Sequence, residues 1–170
     1  MPHDLHAPIP TPFLNTRLSV IPEWIDGNGH MNVAYYVLVF DYATDAFWNY
    51  LGIGEGYLKR TNHSTFALES HVTYQGEVKL GDRVRVTSML LGVDAKRLHF
   101  FHRMYHAEQG YLAATLESIC LHVSLATRRA APFPEDRQAF LARVFAAHQR
   151  LGVPEDAGRR ISLDRRGAAR

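Results

Sequence analysis

The period of the hydrophobic pattern changes several times along the chain. Residues 1–12 contain Pro2, Pro8, Pro10 and Pro12. Proline breaks a helix and donates nothing to a strand ladder, so this stretch predicts an extended arm. Residues 13–21 (FLNTRLSVI) alternate well enough to predict a first strand, ended by Pro22. From about Asn32 to Leu51 the pattern predicts a helix whose only polar residues after the start are Asp41, Thr44, Asp45 and Asn49. A helix apolar round most of its circumference is a buried one. Gly52, Gly54 and Gly56 suit a C-cap followed by a mobile loop. Strand-like runs follow at 65–74, 82–93, 97–107 and 111–126, joined by turns at 81–82, 94–96 and 109–110. Such short links predict antiparallel neighbours. Residues 135–151 form an amphipathic helix between Pro134 and Gly152, and 152–170, Arg-rich toward its end, predicts a frayed tail.

These elements describe an α+β chain: one domain over 13–151, an antiparallel sheet, one long helix and an extra C-terminal helix. A helix buried on most sides needs a sheet that curls round it, a partner chain, or both. The composition, 46% hydrophobic and 21% charged over 170 residues, is that of an ordered globular chain of one-domain size. The formal net charge of +2 is too mild to argue for nucleic acid and suits an anionic small molecule. Cys120 is the sole cysteine, which excludes an intramolecular disulfide and a cysteine zinc cluster. The N-terminus shows no basic and apolar signal pattern. The longest apolar run, Val33 to Phe40, is far short of the roughly 20 residues that cross a membrane. The expectation is a cytoplasmic protein that uses no membrane.

Motifs for nucleophile-elbow hydrolases, P-loops and zincins are absent. His99, His102 and His106 lie on one predicted strand, but only His102 and His106 share a face, and no carboxylate partners them at a recognised spacing. They read as exposed or interface histidines, with no metal expected. The tail arginines at 159, 160, 165, 166 and 170 come with no base-reading module, so no nucleic-acid partner is expected.

The chemistry concentrates in residues 24–36, WIDGNGHMNVAYY. Asp26 stands a few residues ahead of a helix whose start is lined by Gly27 and Gly29. Free N–H groups at a helix start carry partial positive charge, and glycines let a ligand approach the backbone. A carboxylate beside such donors supplies the two parts of acyl transfer: a base or nucleophile, and an oxyanion site. The alternative is that Asp26 or Asn28 merely caps the helix.

The string D-G-N-G-H-M-N-x-x-x-Y, residues 26 to 36, resembles the D-x-x-G-H-[VM]-N-x-x-x-Y signature of acyl-CoA thioesterases of the 4-hydroxybenzoyl-CoA type. SHVTYQGEVKLGDRVRV, 70–86, resembles that family's strand–turn–strand segment. The resemblance covers roughly residues 13–130. It implies the hotdog fold, a curved antiparallel sheet wrapped round one long central helix, and an acyl-CoA substrate hydrolysed without cofactor by a homodimer or homotetramer. Carried over by position, Asp26 becomes nucleophile or general base, and amides around Gly29, His30 and Met31 hold the oxyanion. Asn32 and Tyr36 shape the acyl pocket, and His30 is structural. Asp41 and Asp45 stand in for the helix carboxylate that other hotdog thioesterases use.

The W-I-D-x-N-G-H-M-N form of the first motif, together with Glu69 and His71 in F-A-L-E-S-H-V-T-Y, is similar to thioesterases of carnitine and betaine catabolism, which hydrolyse betainyl-CoA. A trimethylammonium group calls for aromatic faces and a carboxylate. Trp24, Tyr35, Tyr36, Trp48 and Tyr74 are the candidate aromatics, with Glu69 as counter-charge because a carboxylate in an apolar strand needs a partner. A general short-chain or aromatic acyl-CoA thioesterase and a non-catalytic acyl-CoA-binding protein are the alternatives.

Overall fold

The structure is a computed structural model and describes residues 7–163. In chain order the elements are β1 (Phe13–Ser19), a 3-10 turn (Pro22–Trp24), α1 (Val33–Leu51), α2 (Glu55–Thr61), β2 (His63–Tyr74), β3 (Arg83–Val93), β4 (Arg97–His106), β5 (Leu112–Ser124), β6 (Arg129–Ala130) and α3 (Glu135–Gln149). The main sheet runs β1-β3-β4-β5-β2, every neighbour antiparallel, and β6 adds to the end of β5. The long helix is inserted between β1 and β2, which lie at opposite edges. Connecting them obliges α1 to cross the whole face of the sheet.

Alternation decides what faces α1. Val84, Val86, Leu98, Phe100, Met104 and Ala114 are all buried on the concave side. On α1, Tyr36, Phe40, Ala43, Phe47 and Leu51 recur at helical spacing and meet them. Phe40, Phe47 and Leu51 are 0% exposed, each contributing about 1.5–3 kcal/mol relative to exposure in water. The helix is also fixed lengthwise. The Tyr36 ring stands edge-on to Tyr74 at 5.3 Å, and Trp48 Nε1 donates to Thr65 Oγ1 at 2.8 Å. α3 lies alongside, with Phe140, Leu141, Val144 and His148 buried.

The sheet covers only one side of α1. Val33 (56%), Val37 (44%) and Tyr42 (43%) stay exposed, so the sheet alone does not supply the burial on most sides expected from the sequence. Gly52 caps the helix in the left-handed conformation, as its position predicted. The segment after it is α2, not a loop. Gly56 argued against a helix, but burial of Tyr57, whose hydroxyl meets His122 Nε2 at 2.9 Å, holds the turn in place.

His102 and His106 are buried rather than exposed. Thr44 Oγ1 donates to Phe40 O and therefore accepts from His102 Nε2 at 3.0 Å. Burial pushes His102 down to about 3, so it is the neutral imidazole that packs on Phe40. His106 Nδ1 accepts the amides of Glu108 and Gln109 at the β4–β5 turn. Among the described residues, no group of three or more His, Cys, Asp or Glu could hold a metal ion, and no helix is long and apolar enough to cross a membrane.

Both ends make contacts with the rest of the fold. In the arm, Ile9 packs on the core and Pro10 O accepts from His148 Nε2. Residues 152–160 are not frayed: they run across the convex face, where Arg103 pairs with Asp156 at 3.4 Å and Glu117 Oε2 accepts from the Gly158 amide. One ion pair and one bond from a backbone amide, together with the burial of Pro154, hold this stretch. Residues 1–6 and 164–170, including Arg165, Arg166 and Arg170, lie outside the described residues.

Candidate active site

Residues 25–31 close a tight loop between β1 and α1. Ile25 and Met31 form an isolated antiparallel bridge. The Asp26 amide donates to His30 O at 3.1 Å and the Asn32 amide to Trp24 O at 2.9 Å. Inside, Gly29 donates to Asp26 O at 3.0 Å with φ at +80°, a left-handed position that glycine takes without strain. Met31 is fully buried, and its amide donates to Val78 O at 2.8 Å. The loop is thereby tied to the connection between β2 and β3.

The helix cap is Asn32, whose side-chain oxygen accepts from the Ala34 amide at 3.0 Å. Neither Asp26 nor Asn28 caps the helix. Asp26 is free for other work and is held half-buried in a fixed pose. One carboxylate oxygen accepts from the Asn28 amide at 2.8 Å, the other from Asn32 Nδ2 at 3.3 Å. An ionised carboxylate offers about four lone-pair sites, so acceptor capacity remains after both bonds. Asn32 therefore has two jobs: it caps α1 and orients Asp26.

The amides expected to hold an oxyanion are partly used up. Gly29 and Met31 donate within the protein. Of the three, the His30 amide alone finds no acceptor among the described residues, and it lies beside the open start of α1. The His30 ring is partly buried. Met31 O can only accept, so Nδ1 donates to it at 3.2 Å and Nε2 points toward Glu77, 4.0 Å away.

The aromatic candidates fall in three places. Trp24 is buried and stacks on Tyr35 at 5.6 Å, so that face of its indole is occupied. Tyr36 and the half-exposed Tyr74 instead flank a groove of about 260 Å³ shared with His30, Met31, Val33 and Glu77. Trp48 sits at the far end of α1 against Thr65 and Phe100.

Glu69 and His71 are not brought to Asp26. Thr65, Ser70 and Tyr74 point to the helix side. A bulge between Ala67 and Glu69 resets the alternation, and Glu69 and His71 open onto the convex face with His99, Glu117 and Gly158. Glu69 is exposed there, so the argument from burial does not apply to it. The bulge is what the strand sequence concealed. Asp41 and Asp45 are exposed along α1, and burial of part of the Asp45 carboxyl raises its pKa.

Glu77 is the acidic residue that reading the sequence missed at this loop. Its backbone is pinned by the Tyr111 hydroxyl, which donates to Glu77 O, and its neighbour Gly76 O accepts from the Tyr36 hydroxyl at 3.2 Å. Gly76 lies so close to Tyr111 that a Cβ there would come within 2.9 Å of the ring. These contacts join residues 34 to 40 positions apart, and no local pattern announces them.

A carboxylate positioned before the start of a helix that a curved sheet enfolds defines a class, and the comparisons agree: residues 20–141 match the thioesterase-like superfamily, and the chain belongs to it. The architecture is the hotdog fold. A betainyl-CoA thioesterase of Pseudomonas aeruginosa is 45% identical over 144 residues, 85% of this chain and 91% of that protein. An L-carnitine dehydrogenase/betainyl-CoA thioesterase of Rhizobium meliloti is 34% identical over 95% of this chain, which spans 32% of that longer protein. Among solved structures, a hypothetical protein from Staphylococcus aureus in complex with CoA superposes with a TM-score of 0.84. It is 31% identical, with 94% of this chain and 99% of that one covered. A putative thioesterase of Pseudomonas putida gives 0.77 at 34% identity, over 91% and 98%.

Proposed function

We propose that the protein hydrolyses betainyl-CoA to betaine and CoA, with Asp26 as the reacting carboxylate. The observation that carries the mechanism is the doubly held Asp26 side chain in front of α1, free of any capping duty. The likeness to the Pseudomonas aeruginosa enzyme supports the acyl group. Asp26 either takes a proton from the attacking water or itself attacks the thioester carbonyl. In both routes the carbonyl oxygen becomes an oxyanion beside the His30 amide, the C–S bond breaks, and the thiolate takes a proton from solvent; on the nucleophilic route the acyl group is left on Asp26 as a mixed anhydride, which water then cleaves to betaine and the free carboxylate. A thiol of ordinary pKa about 8.5 leaves readily, so no strong general acid is needed.

We further propose that the working unit is at least a homodimer and that it acts in the cytoplasm. β2 is an unpaired edge carrying Phe66 (38%) and Leu68 (56%), and it lies beside the uncovered side of α1 with Val33 and Val37. An exposed apolar edge of this length is a template for a second strand. Pairing there would wall the groove at Tyr74 from its open side.

The test is Asp26→Asn assayed on a panel of acyl-CoAs that includes betainyl-CoA. The expected loss in kcat is about 10²–10⁴, with only a small fall in Tm: the amide oxygen keeps the bond from Asn28, and the one bond from Asn32 Nδ2 is lost at a half-exposed site. Activity within threefold of wild type would move the chemistry to another residue. Reaction in ¹⁸O-water identifies the nucleophilic route when water opens the anhydride at the Asp26 carbonyl: label in the Asp26 carboxylate requires Asp26 to be the nucleophile, whereas label confined to betaine fits either route.

A further inference from the structure

We infer that Glu77, with the perpendicular pair Tyr36 and Tyr74, recognises the trimethylammonium end of the acyl group. This rests on the betainyl-CoA reading and replaces Glu69 as the counter-charge. The groove begins at the Asp26 loop itself, since His30 and Met31 line it. The two tyrosine rings meet at 85° with centroids 5.3 Å apart, which makes an aromatic corner. A quaternary ammonium has no N–H to donate. It is bound by ring faces and by a carboxylate at van der Waals range; here the half-exposed Tyr74 supplies the accessible ring, the nearly buried Tyr36 backs it, and Glu77 supplies the negative charge.

The backbone that carries the Glu77 carboxylate is held in place by its surroundings. Tyr36 and Tyr111 hydroxyls hold the carbonyls of Gly76 and Glu77, Met31 holds Val78, and the Gln75 and Gly76 amides share Ala113 O. Few exposed connections are fixed residue by residue in this way. The result places one glutamate, 65% exposed at its side chain, over the groove. Its nearest basic group is His30 Nε2 at 4.0 Å, beyond hydrogen-bond range. The open side of the groove runs past Val33 to the uncovered face of α1. The groove's volume of about 260 Å³ suits a compact acyl group and not a long chain.

The experiment compares Glu77→Gln with wild type on betainyl-CoA and on 3,3-dimethylbutyryl-CoA, in which carbon replaces the quaternary nitrogen at nearly the same size. On betainyl-CoA, kcat/KM is expected to fall about 10–100-fold, as for loss of a charged partner. On the neutral isostere it should change less than about threefold, since no charge is lost there. Tyr74→Leu, which keeps apolar surface but removes the ring, should give a smaller selective loss of about 3–10-fold. Equal losses on both substrates, or no loss on either with the variant folded by circular dichroism, overturn the assignment. Wild-type enzyme that hydrolyses the isostere but not betainyl-CoA overturns the substrate reading itself, a result distinct from failure of Glu77 alone.

Discussion

Replacing Asn32 by aspartate separates the two jobs of that residue. Aspartate still accepts the Ala34 amide and suits the positive end of α1, so the cap is kept. What is lost is the Nδ2–H that Asp26 receives, and a second carboxylate oxygen takes its place about 3.3 Å from Asp26 Oδ2. Two charges at that distance repel by about 1 kcal/mol in bulk water and by about 5 kcal/mol at an effective dielectric of ~20. The site is half-exposed, which favours the lower part of that range, about 1.5–3 kcal/mol. Converted at about 1.4 kcal/mol per unit, the acid limb of the kcat/KM–pH profile should move up by about 1–2 pH units. Asn32→Ala is the control. It loses the cap, costing about 1 kcal/mol, or roughly 2–4 °C in Tm for a chain of this size, and adds no charge to the limb. The assay is thioester hydrolysis followed by thiol release from pH 4 to 9, beside thermal melts. An unmoved limb in Asn32→Asp with an intact Tm would show that Asp26 does not set the titration, and the catalytic assignment would fall with it.

Burial also sets the pH dependence of stability. The folded-state value of His102 lies near 3, below its unfolded 6.5, so its stabilising contribution is complete above pH 6.5 and is lost as pH falls toward 3, at about 1.4 kcal/mol per pH unit. Urea unfolding should show a steeper acid decline in wild type than in His102→Gln, and identical slopes would mean the imidazole is not buried neutral. Leu68→Lys puts a charge on the β2 edge and should convert the protein to a 19.3 kDa species in sedimentation, with activity restored only at concentrations that restore the dimer. A fully active monomer would refute an active site that depends on that edge.

The sequence by itself determined the five long strands, the long helix and the C-terminal helix, in their order. Strand-like runs at 83–93 and 97–106, apolar spacing over 33–51 and glycine or aspartate turns are local signals, each decided within a few residues. The Asp26 loop was legible for the same reason: its glycines, Asn32 and the helix start lie within seven positions. Tertiary structure decided what those signals could not carry. It made a helix of 55–61 through the bond between Tyr57 and His122, 65 residues apart. It laid 152–160 on the convex face through Arg103 and Glu117. One bulge at Ala67 and Glu69 sent Glu69 and His71 to the face away from the site, because a strand has period 2 and one extra residue exchanges its sides. Glu77 came to the Asp26 loop through bonds from Tyr36 and Tyr111 to its own segment. Such contacts span tens of residues, and only the closed sheet brings their partners together.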